Sequence, residues 1–205
     1  MRGGTEACSA GTARLRACVR RTALAAVLVA IAPAALAEPE RYAIDPEHTY
    51  PSFEFPHMGI SVWRGKFTRS RGSITLDRTA GSGSVDVVVD AASIDFGHRV
   101  MNEVARGADW LNVDLHPTLR YAGTIRFEGG TPAAVEGNLT LLGVTRPVEL
   151  RIGAFKCIRH PFFRREVCGA DASGSLDRAE FGMTQATEDG AGRLTLRVQV
   201  EAFKQ

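Results

Sequence analysis

Apolar and polar residues alternate along most of this chain, and that period of two constrains the fold more than any other feature. Leu194, Leu196, Val198 and Val200 alternate with Thr195, Arg197, Gln199 and Glu201. Tyr121, Gly123, Ile125 and Phe127 alternate with Ala122, Thr124, Arg126 and Glu128. Val148, Leu150 and Ile152 enclose Glu149 and Arg151, and Phe53 and Phe55 flank Glu54. Successive strand side chains point to opposite faces, so each segment reads as a strand with one apolar and one polar face. Turn-like clusters at 79–83, 129–132 and 188–192 separate them. Strands are expected near 42–56, 61–77, 84–91, 118–128, 133–142, 146–157, 168–180 and 193–203. About eight strands joined by short turns predict an all-β fold, an antiparallel sheet that closes on itself.

Residues 97–116 break the period. Val100, Val104 and Ala108 fall four apart, which suits a short helix. Asp109 is placed to cap a second turn holding Trp110, Leu111 and Val113, and His116-Pro117 restores the extended chain. The barrel therefore carries one short helical crossover.

The first 37 residues read as an address. Arg14, Arg16, Arg20 and Arg21 precede an apolar run from Thr22 to Leu36, and Ala35-Leu36-Ala37 is a small-x-small cleavage site. That is the pattern of a secretory signal cleaved after Ala37. The apolar run, about 15 residues, is short for a bilayer span. The expectation is a signal peptide at 1–37 and one exported, periplasmic domain at 38–205. Without 1–37 the net charge of +2 becomes 20 basic against 22 acidic residues. A near-neutral chain without a basic block gives no electrostatic reason to bind nucleic acid. Cys157 and Cys168 are the cysteines left after cleavage. A lone pair in an exported protein predicts a disulfide. It should join adjacent strands at a barrel end with Cα atoms within about 7 Å. Residues 158–167, with Arg159, Arg164 and Arg165, should form an exposed hairpin loop.

Catalytic signatures are missing. The chain has no G-x-S-x-G, no H-E-x-x-H and no glycine-rich phosphate loop. His48, His57, His98, His116 and His160 show no i,i+2 or i,i+4 pairing. No enzyme, cofactor or metal site is expected. An eight-stranded barrel can be filled by its own side chains or can hold one apolar ligand, and alternation alone does not choose.

Further segments carry a resemblance. They are Tyr42-x-Ile44-Asp45-x-x-His48-Thr49, Phe53-Glu54-Phe55-x-His57-Met58-Gly59, Gly65-x-Phe67, the stretch Val85 to Ile94, and His116-Pro117. Val135 to Leu141, Gly143 to Val148, Cys168 to Ala172, Arg178 and Phe181-Gly182-Met183 follow in order. In this order and spacing the chain resembles the YceI-like proteins, secreted bacterial lipid-binding proteins of lipocalin-like fold. The resemblance implies an extended antiparallel lipocalin-like barrel holding a polyisoprenoid, isoprenoid quinone or fatty acyl amide. It also allows a homodimer and transient membrane contact. His48 and Arg178 occupy family-pattern positions read as structural. The chain departs from the family's usual crossover, reading Arg99-Val100-Met101-Asn102-Glu103 and then Gly107-Ala108-Asp109-Trp110-Leu111, and its loop at 184–192 is short.

The residues taken as ligand-lining are the large inward candidates Phe53, Phe55, Trp63, Phe67, Ile74, Val87, Val89, Phe96, Trp110, Leu111, Tyr121, Ile125, Leu139, Leu141 and Phe181. His57, Arg99 and Asn102 are candidates for a polar head group at the mouth. A lipid carrier needs a continuous, nearly charge-free slot larger than about 300 Å³. It should run between barrel and crossover, with Trp110 and Leu111 pointing in. The competing readings are a metal-assisted hydrolase on a secreted β-scaffold and a stress-related structural protein with a filled core.

Overall fold

A computed structural model describes residues 38–205; the signal-peptide reading of 1–37 lies outside the described residues. In chain order the elements are β1 (Glu40–Ile44), β2 (Tyr50–His57), β3 (Ser61–Phe67), β4 (Ser70–Asp77), β5 (Ser82–Asp90), β6 (Ile94–Asp95), α1 (Arg99–Arg106), β7 (Thr118–Glu128), β8 (Thr131–Leu141), β9 (Val144–Arg159), β10 (Glu166–Asp177) and β11 (Arg193–Lys204). Every pairing is antiparallel, and β1-β4-β5-β7-β8-β9-β10-β11 runs round to β1 again as a closed barrel of eight strands. The closing register sets Tyr42 against Lys204 and Ile44 against Ala202. The described residues form one compact unit that holds all eleven strands.

Two of the eight expected strands are broken in two. The segment 42–56 becomes β1 and β2, because Pro46 lacks an N–H and the Asp45 carboxylate accepts from the Glu47 N–H at 3.0 Å, making a turn. The segment 61–77 becomes β3 and β4. There the Thr68 and Arg69 amides leave the ladder, bonding to the carbonyl and hydroxyl of Ser93 at 3.1 Å each. β2 then pairs with Thr195–Gln199 of β11, β3 with β2, and β6 with β3, so a small flap branches from the barrel wall.

Residues 97–116 contain the expected helix, but differently placed. His98 Nδ1 accepts from the Met101 N–H, and Gly107 ends the helix. Its buried residue is Ala105, while Val100 and Val104 stay exposed. Residues 108–115 form turns rather than a second helical turn, and Leu111 is buried.

The barrel end remote from the crossover is sealed. Tyr42 is fully buried, and its hydroxyl donates to Glu166. Arg78 bridges Glu40 and Glu166, and Lys204 donates to Glu40. The Lys204 ammonium, helped by Tyr42 and Arg78 against the opposing effect of burial, holds the Glu40 carboxyl down at about 2. Near the same end Cys157 and Cys168 lie directly opposite on β9 and β10, bonded, with Cα atoms 4.0 Å apart. The hairpin loop is shorter than expected. Both strands run on past the disulfide to Arg159 and Glu166, and Val167 is buried, so residues 160–165 alone form the loop.

Two outcomes are expected in urea unfolding. Replacing both cysteines by serine lowers stability by about 2–3 kcal/mol, since a short closed loop is lost from the unfolded chain's constraints. Glu40 is ionised in the fold well below its usual 4.5, so its contribution is present above about pH 4.5 and is lost as pH falls toward about 2. Glu40→Gln should therefore flatten the loss of stability across that window. At neutral pH it should cost about 1 kcal/mol, a modest value because the carboxylate is about one-third solvent-exposed and screened.

Candidate functional site

The inward side chains do not fill the barrel. A chamber of about 200 Å³ lies under the crossover, lined by residues that include Phe53, Phe55, Phe67, Val87, Val89, Phe96, Trp110, Leu111, Tyr121, Leu139 and Leu141. A second, of about 110 Å³, lies toward the sealed end against Tyr42, Ile74, Val87, Tyr121 and Ile125. Tyr121, Pro51, Val87, Leu150 and Val198 line both and stand between them. No carboxylate or imidazole lines either chamber.

Tyr121 is the largest part of that partition. Its hydroxyl donates to the Val148 carbonyl at 2.8 Å, and burial pushes the phenol above its usual range. The ring lies flat over Gly137, where a Cβ would come within 2.5 Å of Tyr Cζ. A glycine on β8 therefore creates the seat for an aromatic ring on β7. The expected slot is thus corrected in two respects. It is divided in two by Tyr121, and neither chamber alone reaches the 300 Å³ expected.

At the crossover end an entrance pocket of about 340 Å³ adjoins the larger chamber. The β2–β3 hairpin supplies Phe55, His57, Met58 and Trp63; α1 supplies Met101, Val104 and Ala105; the following loops supply Trp110, Glu188 and Asp189. His57 stacks on Trp63 with ring centroids 4.1 Å apart. Phe53 and Phe96 meet edge to face at 5.6 Å in the wall of the larger chamber, and Phe96 also lines the pocket.

One charge reaches the wall of the larger chamber, and it is satisfied. Arg178 is 4% exposed and donates to the carbonyls of Met183 at 2.9 Å, Gln185, Ala186 and Ala191. Its guanidinium lies over the Trp110 ring, 4.9 Å from the centroid. Burial pulls its pKa down, while the five N–H donors fix the short loop between β10 and β11. Arg178 thus fastens one side of the entrance.

Of the residues singled out from sequence, three do not line these spaces. Phe181 is sealed in the core at 1% exposure. Arg99 is exposed and pairs with Glu103 at 2.6 Å, one helical turn on. Asn102 accepts from the Phe96 N–H at 2.8 Å and donates to Asp95 at 2.9 Å, bracing the corner between β6 and α1. His57 does stand at the mouth. Sequence reasoning missed Leu119, Val148, Leu150, Leu176, Leu194, Leu196 and Val198, which also line the larger chamber. Five of them share the alternation phase already noted for β9 and β11, so the signal was present. Met183 sits in a loop, where no period marks it.

Among the described residues, two clusters have metal-ligand chemistry. Cys157 and Cys168 near Glu166 are consumed by the disulfide. Among the described residues Asp45, His48 and Glu201 meet at the β1–β2 turn, where the Asp45 carboxylate, accepting from the imidazole, raises the His48 pKa. The pair braces that turn, 2.8 Å between Nδ1 and Oδ2.

The profile of the YceI-like domain matches residues 42–202, spanning the barrel from β1 to β11. The chain belongs to the YceI-like family. It is 30% identical over 167 residues to a UPF0312 protein of Pseudomonas paraeruginosa, covering 80% of this chain and 87% of the relative. It is 29% identical over 185 residues to Protein YceI of Salmonella arizonae, covering 89% and 95%. Among solved structures, BcnA of Burkholderia cenocepacia superposes with a TM-score of 0.63 at 19% identity, over 77% of this chain and 98% of BcnA. A polyisoprenoid binding domain from Saccharophagus degradans, implicated in plant cell wall breakdown, gives 0.57 at 16% identity, over 80% and 98%. At these identities the structures speak for the fold of this YceI-like chain.

Arg178→Met should strand four carbonyls and free the 183–191 loop. The expected loss is about 3 kcal/mol of stability in urea, with a red shift of Trp110 emission as the ring gains solvent.

Proposed function

We propose that this chain binds a long-chain apolar lipid in the barrel interior and carries or sequesters it as an exported, periplasmic protein. The candidate ligands are a polyisoprenoid, an isoprenoid quinone or a fatty acyl amide. The observation that carries this reading is the pair of unfilled apolar chambers, parted by Tyr121, that lie between the entrance pocket and Tyr42. An isoprenoid tail has no polar handles, so it needs an apolar wall and a polar rim at one end. The chambers supply the wall; His57, Glu188 and Asp189 supply the rim. Burial of the tail stabilises the complex by about 25 cal/mol per Å² before the cost of ordering it. The polyisoprenoid-binding relative of like fold supports the ligand class. Catalysis is not part of the reading.

The test uses the protein's own reporters. Both tryptophans, Trp63 and Trp110, border the entrance pocket. Titration with an isoprenoid quinone should quench them, and mass spectrometry of an organic extract should find a co-purified lipid. No quenching together with an empty extract would sink the proposal in favour of a purely structural barrel. Leu139→Asp or Phe55→Asp should abolish retention, because an unpaired charge in an apolar slot costs several kcal/mol. Arg197→Asp, on the outer face beside Glu54, should leave retention unchanged. Tyr121→Leu should join the chambers and tighten binding of longer tails by about tenfold relative to short ones, read from paired quenching titrations.

A further inference from the structure

The hairpin tip between β9 and β10 stands at the opposite end of β10 from the Arg178 loop, roughly 35 Å along the strand. It carries two adjacent aromatic side chains: Phe163 touches Phe203 of β11 edge to face, 5.5 Å between centroids, and Phe162 lies beside His160 alone. Phe162 is 86% exposed and Phe163 is 63% exposed. Around them are Lys156, Arg159, Arg164 and Arg165, with no acidic residue from 156 to 165. None of these four cations forms a salt bridge among the described residues. The next carboxylate, Glu166, is already taken by Arg78 and Tyr42.

The tip is held rigidly in this exposed form. The His160 N–H donates to the Arg165 carbonyl at 2.8 Å, and the Arg164 N–H to the His160 carbonyl at 2.9 Å. His160 Nδ1 accepts from the Phe162 and Phe163 N–H groups, each at 3.2 Å. Arg165 lies over the Phe203 ring at 4.9 Å, which fixes the base of the loop to β11. The disulfide lies directly below. A preorganised tip loses little conformational entropy on binding.

We propose that this tip is an anchor for an anionic lipid bilayer. Exposed phenylalanines suit the boundary between head groups and acyl chains, and unpaired arginines around them suit acidic head groups. Charge complementarity selects an anionic surface over a zwitterionic one. The anchor is separate from the cavity and does not depend on what the cavity holds. With the tip seated on a bilayer, the entrance pocket faces away from that surface.

Co-sedimentation with vesicles tests it. The protein is residues 38–205, the compact unit with the closed sheet, since the apolar run at 22–36 would bind vesicles by itself. Vesicles of phosphatidylglycerol and phosphatidylcholine should bind it, and vesicles of phosphatidylcholine alone should not. Phe162→Ser with Phe163→Ser should weaken binding by about tenfold. Each of Arg159→Gln, Arg164→Gln and Arg165→Gln should weaken it about fivefold, and 0.5 M salt should do so more strongly, by about a hundredfold. Circular dichroism and the intact disulfide show that the variants fold. Binding that ignores the phenylalanine changes would place the contact elsewhere and overturn the proposal. So would failure to bind either vesicle, an outcome that leaves the tip to an acidic protein partner. Lipid retention in the cavity, read by tryptophan quenching, is expected to be unchanged in every tip variant.

Discussion

The return of β11 to β1 is the interaction on which the other features rest. A sheet with free edges must hide them, whereas a closed one has none. Closure also fixes an inside and an outside, and with them the meaning of every alternating side chain. Eight strands enclose slightly more space than the inward residues occupy, and the surplus becomes the two chambers. The cluster of Tyr42, Glu40, Arg78, Glu166 and Lys204 stands where β1, β4, β10 and β11 converge, so the same elements that close the wall also close the floor.

The mouth is built on a different principle. There the ladder is interrupted, and side chains take over from backbone pairing. Ser93 captures the amides of Thr68 and Arg69, Asn102 captures that of Phe96, and Arg178 gathers four carbonyls. Each is a polar group at an end of a strand or loop, and each sets the place of an aromatic ring beside it. Polar residues thus shape the entrance, and of the three only Arg178 also reaches its lining.

Much of this was legible in the sequence. The alternation placed the strands and picked inward residues such as Val87, Tyr121 and Leu139, and Cys157 and Cys168 paired as expected. The failures share a cause. Periodicity reports which face a residue is on, but not what lies opposite. Val100 and Val104 have helical spacing yet stay exposed, Val104 at the edge of the entrance pocket, because the close contact is made by the small Ala105. Arg99 and Asn102 sit where a head group could be met, but each already has a partner. Tyr121 reads as one more inward residue; its role as a partition depends on Gly137 across the ladder, a register fact that spacing along one strand does not carry. The splitting of the second expected strand, 61–77, depends likewise on Ser93, which is distant in sequence.

Along the edge opposite β10, β11 holds two partners, β2 along Thr195–Gln199 and β1 along Ala202–Lys204. The flap of β2, β3 and β6 is therefore attached to the wall by its own short stretch of ladder, separate from the stretch that completes the barrel. Opening the flap breaks only the first stretch. The attachment of the rim and the integrity of the hoop below it are therefore set by different hydrogen bonds.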